Sequence, residues 1–135
     1  MYKAKITREH RTAFIILCDR SGSMAEETRF GGQVMRKAEA VACIINMLLG
    51  ELIHRSRRDD GIRDYFDIAV LGYSGSGVQP LLPAGDRERF IGIGDLVRLP
   101  APVQQRRMLR TLPGGRRTAV EIGQRQWITP EANGD

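Results

Sequence analysis

An uncharged run of apolar residues, Phe14 to Cys18, leads directly into a short segment rich in side-chain oxygens. A run of this length without a charge is typical of a β-strand that is buried on both faces. The carboxylate of Asp19 and the hydroxyls of Ser21 and Ser23 follow at alternate positions, around a glycine that favours a tight loop. In such a loop the three oxygens can point at a single centre.

The segment from Asp19 to Ser23 suits two kinds of structure. It is good turn chemistry, because Asp and Ser bond their own backbone and Gly adopts positive φ. It is also a set of hard oxygen ligands, which a divalent cation such as Mg²⁺ prefers. The apolar strand before it and an amphipathic helix after it place the loop at the carboxyl end of a strand in an α/β unit, where ligands of open α/β sheets bind. We therefore predict a metal site at Asp19, Ser21 and Ser23.

The residues after this loop have the period of a helix. Apolar side chains recur every three or four positions and predict a helix from about Gly32 to His54 that packs against a sheet. A second apolar strand, Phe66 to Tyr73, follows. A strand, a long helix and a strand in this order predict a right-handed crossover between two parallel strands. A tight turn over Ser74 to Gly77 then predicts a short antiparallel edge strand over Val78 to Leu82.

Residues 12–82 resemble the von Willebrand factor type A domain family. Phe14 to Met24 is similar to the first metal loop of that family, whose metal-ion-dependent adhesion site opens with Asp-x-Ser-x-Ser. The predicted helix and the segment Phe66 to Ser74 are similar to its first helix and second strand. The resemblance implies a Rossmann-like three-layer α/β fold with a mainly parallel sheet and an antiparallel edge strand.

The resemblance also implies a function. In the family, the aspartate and the two serines hold Mg²⁺ or Mn²⁺, and one position is left for a carboxylate from a partner. By this likeness the chain would be an intracellular, metal-ion-dependent protein-binding module, in which a cation at Asp19, Ser21 and Ser23 bridges to an Asp or Glu of a partner protein. Two alternatives stay open: a non-catalytic scaffold with a silent metal site, and a serine hydrolase acting at Ser74.

The other two loops of the family's metal site are harder to find. The family supplies a threonine from a second loop and an aspartate from a third. Thr118 is a possible stand-in for the threonine, but its surroundings, Gly-Gly-Arg-Arg-Thr, depart from the family pattern. We therefore expect residues 1–135 to form one partial domain, corresponding to the N-terminal portion of the family fold. We also expect this chain by itself to bind metal more weakly than micromolar.

Residues 83–135 give few structural signals and are rich in arginine. The chain carries a net charge of +5, and residues 87–125 hold nine arginines against three acidic residues. Such a stretch can bind phosphates or acidic partners. Aromatic residues are nearly absent from it, so bases would find no stacking platform, which argues against nucleic acid. Here we predict a short helical turn, a basic helix or loop and an edge strand, over Arg87 to Ile93, Ala101 to Leu112 and Val120 to Ile128.

The sequence gives little support to catalysis. Gly72-Tyr-Ser74-Gly-Ser76 approaches the Gly-x-Ser-x-Gly nucleophile elbow, but it lacks the second glycine and no helix follows it. The histidines, His10 and His54, are isolated and lack the spacing of a zinc site or a triad. We expect the chain not to be an enzyme.

The sequence favours a cytoplasmic location. No apolar stretch reaches the roughly 20 residues that a membrane span needs, and the charged N-terminus does not resemble a signal peptide. Cys18 and Cys43 lie in apolar surroundings and are predicted to be buried as thiols. We therefore expect a cytoplasmic protein with no membrane partner.

Overall fold

The computed structural model describes residues 12–83 and 90–130. In these ranges it contains one four-stranded mixed sheet, three two-stranded antiparallel sheets, two α-helices and a short 3₁₀ turn. The strands are β1 (Thr12–Asp19), β2 (Glu27–Phe30), β3 (Gln33–Arg36), β4 (Arg57–Arg58), β5 (Gly61–Ile62), β6 (Phe66–Ser74), β7 (Gly77–Pro80), β8 (Ile91–Gly92), β9 (Val103–Thr111) and β10 (Arg117–Arg125). The helices are α1 (Lys37–Ser56) and α2 (Ile93–Arg98).

The mixed sheet contains the predicted strand pairs. β1 runs parallel to β6, with Thr12 opposite Phe66 and Asp19 opposite Tyr73, and α1 connects the two strands. β7 pairs antiparallel with β6 through a turn at Ser74 and Gly77. The predictions of a strand, helix and parallel strand, and of an antiparallel edge strand after the turn, are confirmed. The short strand β8 also pairs antiparallel with β6.

One hydrophobic core joins the sheet to both helices. The periodic face of α1 supplies Ala42, Ile45, Leu49, Leu52 and Ile53, which pack with residues of β1, β6, β8, α2 and the segment after β10. Those residues are Cys18, Ile68, Val70, Ile91, Ile93, Leu96 and Ile128. Burying each leucine, isoleucine or valine of this core stabilises the fold by about 1.5–3 kcal/mol. The cysteines are buried as free thiols.

The prediction of a Rossmann-like three-layer fold with a mainly parallel sheet is wrong. One strand pair of the mixed sheet is parallel and every other pair in the described residues is antiparallel. The two helices pack on one face of the sheet, whereas Ile15, Leu17 and Val78 on the opposite face are exposed. A layer of helices on both faces is what an uncharged strand predicts. Here the second face of β1 has no covering element among the described residues.

The helix begins later than predicted because a hairpin precedes it. Gly31 and Gly32 both have positive φ, 60° and 81°, and form the turn between β2 and β3. Two glycines in succession favour the hairpin turns that match the twist of the strands. The residues from Gln33 to Arg36 are therefore strand, and α1 runs from Lys37 to Ser56 instead of from about Gly32 to His54.

The arginine-rich region is a long hairpin. Val103 to Thr111 pairs with Arg117 to Arg125 around Gly114 and Gly115, whose φ values are 91° and 86°. The prediction of a basic helix or loop over Ala101 to Leu112 is therefore wrong. The predicted edge strand over Val120 to Ile128 exists, but it begins and ends three residues earlier. Of the predicted turn over Arg87 to Ile93, residues 87–89 lie outside the described residues, and the chain from Ile91 forms β8 and then α2.

Candidate functional site

Asp19 is the last residue of β1, at the carboxyl end of the parallel pair. The backbone N–H of Arg20 donates to the carbonyl oxygen of Tyr73 at 2.8 Å, so the pairing with β6 continues one residue past the strand. A 3₁₀ turn over Gly22–Ala25 follows, and the buried side chain of Met24 anchors it to the protein. The loop is therefore held on both sides.

The loop brings the three predicted metal ligands together. The backbone N–H of Ser21 donates to Oδ1 of Asp19 at 2.8 Å, and the Ser21 hydroxyl also hydrogen-bonds this carboxylate. The Oγ atoms of Ser21 and Ser23 are 3.1 Å apart. A carboxylate and two hydroxyls thus form one connected cluster of oxygens.

Asp19 stays ionised in this setting. The N–H and then the hydroxyl of Ser21 stabilise the carboxylate and hold the pKa of Asp19 below its ordinary value. Burial acts weakly in the opposite direction. The loop therefore presents a full negative charge at neutral pH, as a cation ligand must.

The three side chains offer the type of ligand atom that a hard divalent cation prefers, but they are few. Mg²⁺ and Mn²⁺ bind carboxylate and hydroxyl oxygens, and Mg²⁺ usually keeps several waters. In the described ranges, no group of three or more His, Cys, Asp or Glu side chains could hold a metal. Asp19, Ser21 and Ser23 could supply three ligands, about half of an octahedral shell. Since only one of the three side chains is charged, a divalent ion held by them would keep a net positive charge.

Arg20 turns away from this oxygen cluster. Its side chain is buried, and its Nη2 donates to the carbonyl oxygen of Thr129 at 2.9 Å. It also interacts with the thiol of Cys18, whose pKa is raised mainly by burial and lowered in part by this guanidinium. Gly72 makes room for it, since a Cβ there would lie 3.1 Å from Cδ of Arg20. The guanidinium group of Arg20 thus holds the loop against the segment at Thr129, and it points away from the oxygens of Asp19, Ser21 and Ser23.

Asn46 holds the segment that Arg20 contacts. This helical side chain is buried, and it donates from Nδ2 to the carbonyl oxygen of Ile128 at 3.0 Å. Its Oδ1 accepts the N–H of Ile128, also at 3.0 Å. We refer to these two bonds as the Asn46 clamp. Sequence reasoning missed both Arg20 and Asn46, although an asparagine on the apolar face of a helix is a signal that a buried polar contact exists.

The remaining predicted groups lie elsewhere. Thr118 is on β10, opposite Arg110 in the long hairpin, which is a separate sheet from the one that ends at Asp19. The hydroxyl of Ser74 accepts the N–H of Ser76 at 3.3 Å, the usual role of a serine in a turn. His54 is exposed on α1, and His10 lies outside the described residues.

Neither helix in the described part of the chain is long and apolar enough to cross a membrane. No protein-family model, curated protein or solved structure matches this sequence.

Proposed function

We propose that this chain is a metal-ion-dependent protein-binding module that acts inside the cell. Asp19, Ser21 and Ser23 would hold Mg²⁺ or Mn²⁺, and the ion would bind an aspartate or glutamate of a partner protein. The observation that supports this proposal most directly is the convergence of the three side chains at the carboxyl end of β1. The braced loop and the ionised Asp19 add to it.

Charge explains why the partner would be acidic. A divalent ion held by one carboxylate retains a net positive charge, and bound cations are often the largest local charge in a site. Bound at the loop, the ion would offer a coordination position to which an incoming carboxylate is attracted. The basic hairpin of β9 and β10 carries the exposed Arg107, Arg110, Arg116 and Arg117. Such charges would favour the same class of partner by speeding encounter.

Metal binding is the first step to test. Titration of Mn²⁺ should broaden the backbone amide resonances of the loop around Asp19, because the ion is paramagnetic. We expect a dissociation constant weaker than micromolar, since three oxygens of the chain are available. Asp19→Ala should abolish the broadening. Asp59→Ala, which removes an exposed carboxylate from the turn between β4 and β5, should leave it unchanged.

Carboxylate binding is the second step. A peptide with a single aspartate should bind the wild-type chain in Mn²⁺ and lose binding in a chelator, and the same peptide with asparagine should not bind. If Mn²⁺ broadens no loop resonance at millimolar concentration, the metal-dependent proposal fails and a scaffold with a silent site takes its place. Equal binding of both peptides would contradict the role of the partner carboxylate.

A further inference from the structure

Among residues 12–83 and 90–130, no strand pairs with the outer edge of β1 in the mixed sheet, and we call this edge the open edge. The N–H of Thr12 donates to Tyr65 and that of Arg20 donates to Tyr73, both toward β6. Backbone groups of a strand in a parallel pair point alternately to the two sides. The even-numbered residues of β1 therefore face β6, and the N–H and C=O groups of Ala13, Ile15 and Leu17 face outward. Within the described residues, β6 is the strand that pairs with β1, and no other strand adjoins this edge.

Along residues 12–18, the open edge lacks the charges and prolines that usually protect an edge against pairing. Residues 12–18 include no charge and no proline. The side chains of Ile15 and Leu17 are 60% and 64% exposed, on the face of the sheet that the helices leave uncovered. Natural sheets protect such edges with charges, prolines, bulges or short strands, because unpaired backbone groups are a template for another strand.

The opposite edge of the same sheet is protected. β7 is four residues long and ends at Pro80, which has no N–H to donate. Its Val78 is 65% exposed, as much as Leu17 of β1. Exposure of an apolar side chain is thus common to both edges. The two edges differ in their backbone groups: β1 presents a longer row of unpaired N–H and C=O groups than β7 does, without a proline in it.

We propose that the edge of β1 pairs with β1 of a second copy of this chain. The pairing is antiparallel about a two-fold axis through Ile15, so that Ile15 faces its own counterpart and Ala13 faces Leu17 of the other copy. This register joins outward-facing residues to outward-facing residues, which is what antiparallel pairing requires. It also places six apolar side chains side by side on one face of an eight-stranded sheet, in the isologous arrangement that is commonest among homo-oligomers.

The size of this contact sets the expected affinity. Pairing one strand of eight residues with its copy buries less than the roughly 1,200 Å² that stable interfaces begin with. The dimer should therefore form at micromolar or higher concentrations and dissociate on dilution. This inference does not depend on the metal loop, because the side chains of Asp19, Ser21 and Ser23 take no part in it.

Analytical ultracentrifugation of the whole chain is the first test. The wild type should sediment as a dimer at high concentration and as a monomer at low concentration. Ile15→Lys places two like charges opposite each other at the axis and should weaken dimerisation at least tenfold. Val78→Lys makes the same change at an equally exposed position on the protected edge and should leave dimerisation unchanged. Circular dichroism establishes that both variants fold.

Cross-linking reports the register. Facing residues in a hydrogen-bonded antiparallel pair have Cα atoms about 5.5 Å apart, within the range that a disulfide spans. Ile15→Cys should therefore form a disulfide-linked dimer under mild oxidation, and Val78→Cys should not. A wild type that stays monomeric at millimolar concentration overturns the proposal. So does a dimer that Ile15→Lys leaves intact, since another surface or another occupant of the edge is then responsible.

Discussion

The Asn46 clamp should be a major source of stability, and Asn46→Ala tests it. The substitution removes the partners of both the N–H and the C=O of Ile128, which is 1% exposed. Water cannot replace them at such a position without opening the core. A buried polar group left without a partner costs about 1–3 kcal/mol, so two such groups cost about 2–6 kcal/mol. Folding of the variant no longer has to desolvate and order the asparagine side chain, so the net loss of stability is smaller than this sum. We expect a loss of about 3 kcal/mol.

Urea unfolding followed by circular dichroism measures this loss. Domains of this size are stable by about 5–15 kcal/mol, so a loss of 3 kcal/mol should lower the midpoint clearly without changing the slope. Glu51→Ala is the matched control on the same helix. It removes an exposed ion pair with Arg55, 3.0 Å in length, and should cost less than about 0.5 kcal/mol.

The result also bears on the metal loop. Ile128 is followed by Thr129, whose carbonyl accepts the hydrogen bond from Arg20. Releasing Ile128 should therefore shift the amide resonances of Asp19 and Ser21 even in the folded protein. A loss of stability below about 1 kcal/mol, closer to the loss expected for Glu51→Ala than to 3 kcal/mol, would refute the argument that the clamp is buried and fully formed.

Three further predictions concern the helix, the brace under the loop and the loop carboxylate. Gly50→Ala should raise the free energy of unfolding by about 0.5–1 kcal/mol, because the position is helical and a Cβ there meets nothing within 4 Å; thermal unfolding measures it, and destabilisation would contradict the open space. Gly72→Ala should cost about 1–3 kcal/mol in the same assay, because its Cβ would lie 3.0–3.1 Å from Leu81 and Arg20; an unchanged melting temperature would show that these side chains move aside freely. The pKa of Asp19 is lowered, so the stabilisation from Ser21 is fully present above the ordinary value of about 3.9 and is lost as the pH falls through the lower folded value. Carboxyl carbon resonances should accordingly show a somewhat higher pKa of Asp19 in Ser21→Ala, which removes the hydroxyl and keeps the backbone N–H, with no titration between about pH 5 and 8 in either protein; an equal pKa in both would remove the Ser21 hydroxyl as a cause and leave the N–H.

Local pattern predicted the central part of the fold because the forces there are local or nearly so. The stripe of α1 follows from the helical period, and Ala38, Ala42, Ile45 and Leu49 are buried as that period requires. The parallel pairing of β1 and β6 follows from the helix between them. Leu48, which the same spacing places in the middle of the stripe, is 40% exposed, whereas Leu49 beside it is fully buried. The spacing predicts which residues share a face, but the exact centre of the buried face depends on which neighbours reach the helix, and periodicity does not contain that information.

The hairpins β2–β3 and β9–β10 were predicted poorly because their turn signals were weaker than competing helical ones. The arginines and glutamines of β9 favour a helix as isolated residues, but the glycines at 114 and 115 allow the turn that pairs β9 with β10. Likewise Val34 fits the helical stripe by spacing, although it pairs with Arg29 across the turn at Gly31 and Gly32. In both places the turn residues outweigh the propensity of the residues around them.

The two proposals share β1 and can be separated, because the strand uses different atoms for each. Metal binding would use side-chain oxygens at the carboxyl end, whereas pairing would use backbone groups from Ala13 to Leu17. Asp19→Ala should therefore abolish the effect of Mn²⁺ and leave sedimentation unchanged, and Ile15→Lys should do the reverse. The same uncharged run predicts a strand covered on both faces, but in the part of the chain that the structure describes one face of β1 is exposed and one edge is unpaired. An apolar strand without charges is suited to neighbours on all sides, and the proposed second copy supplies one of them at the edge.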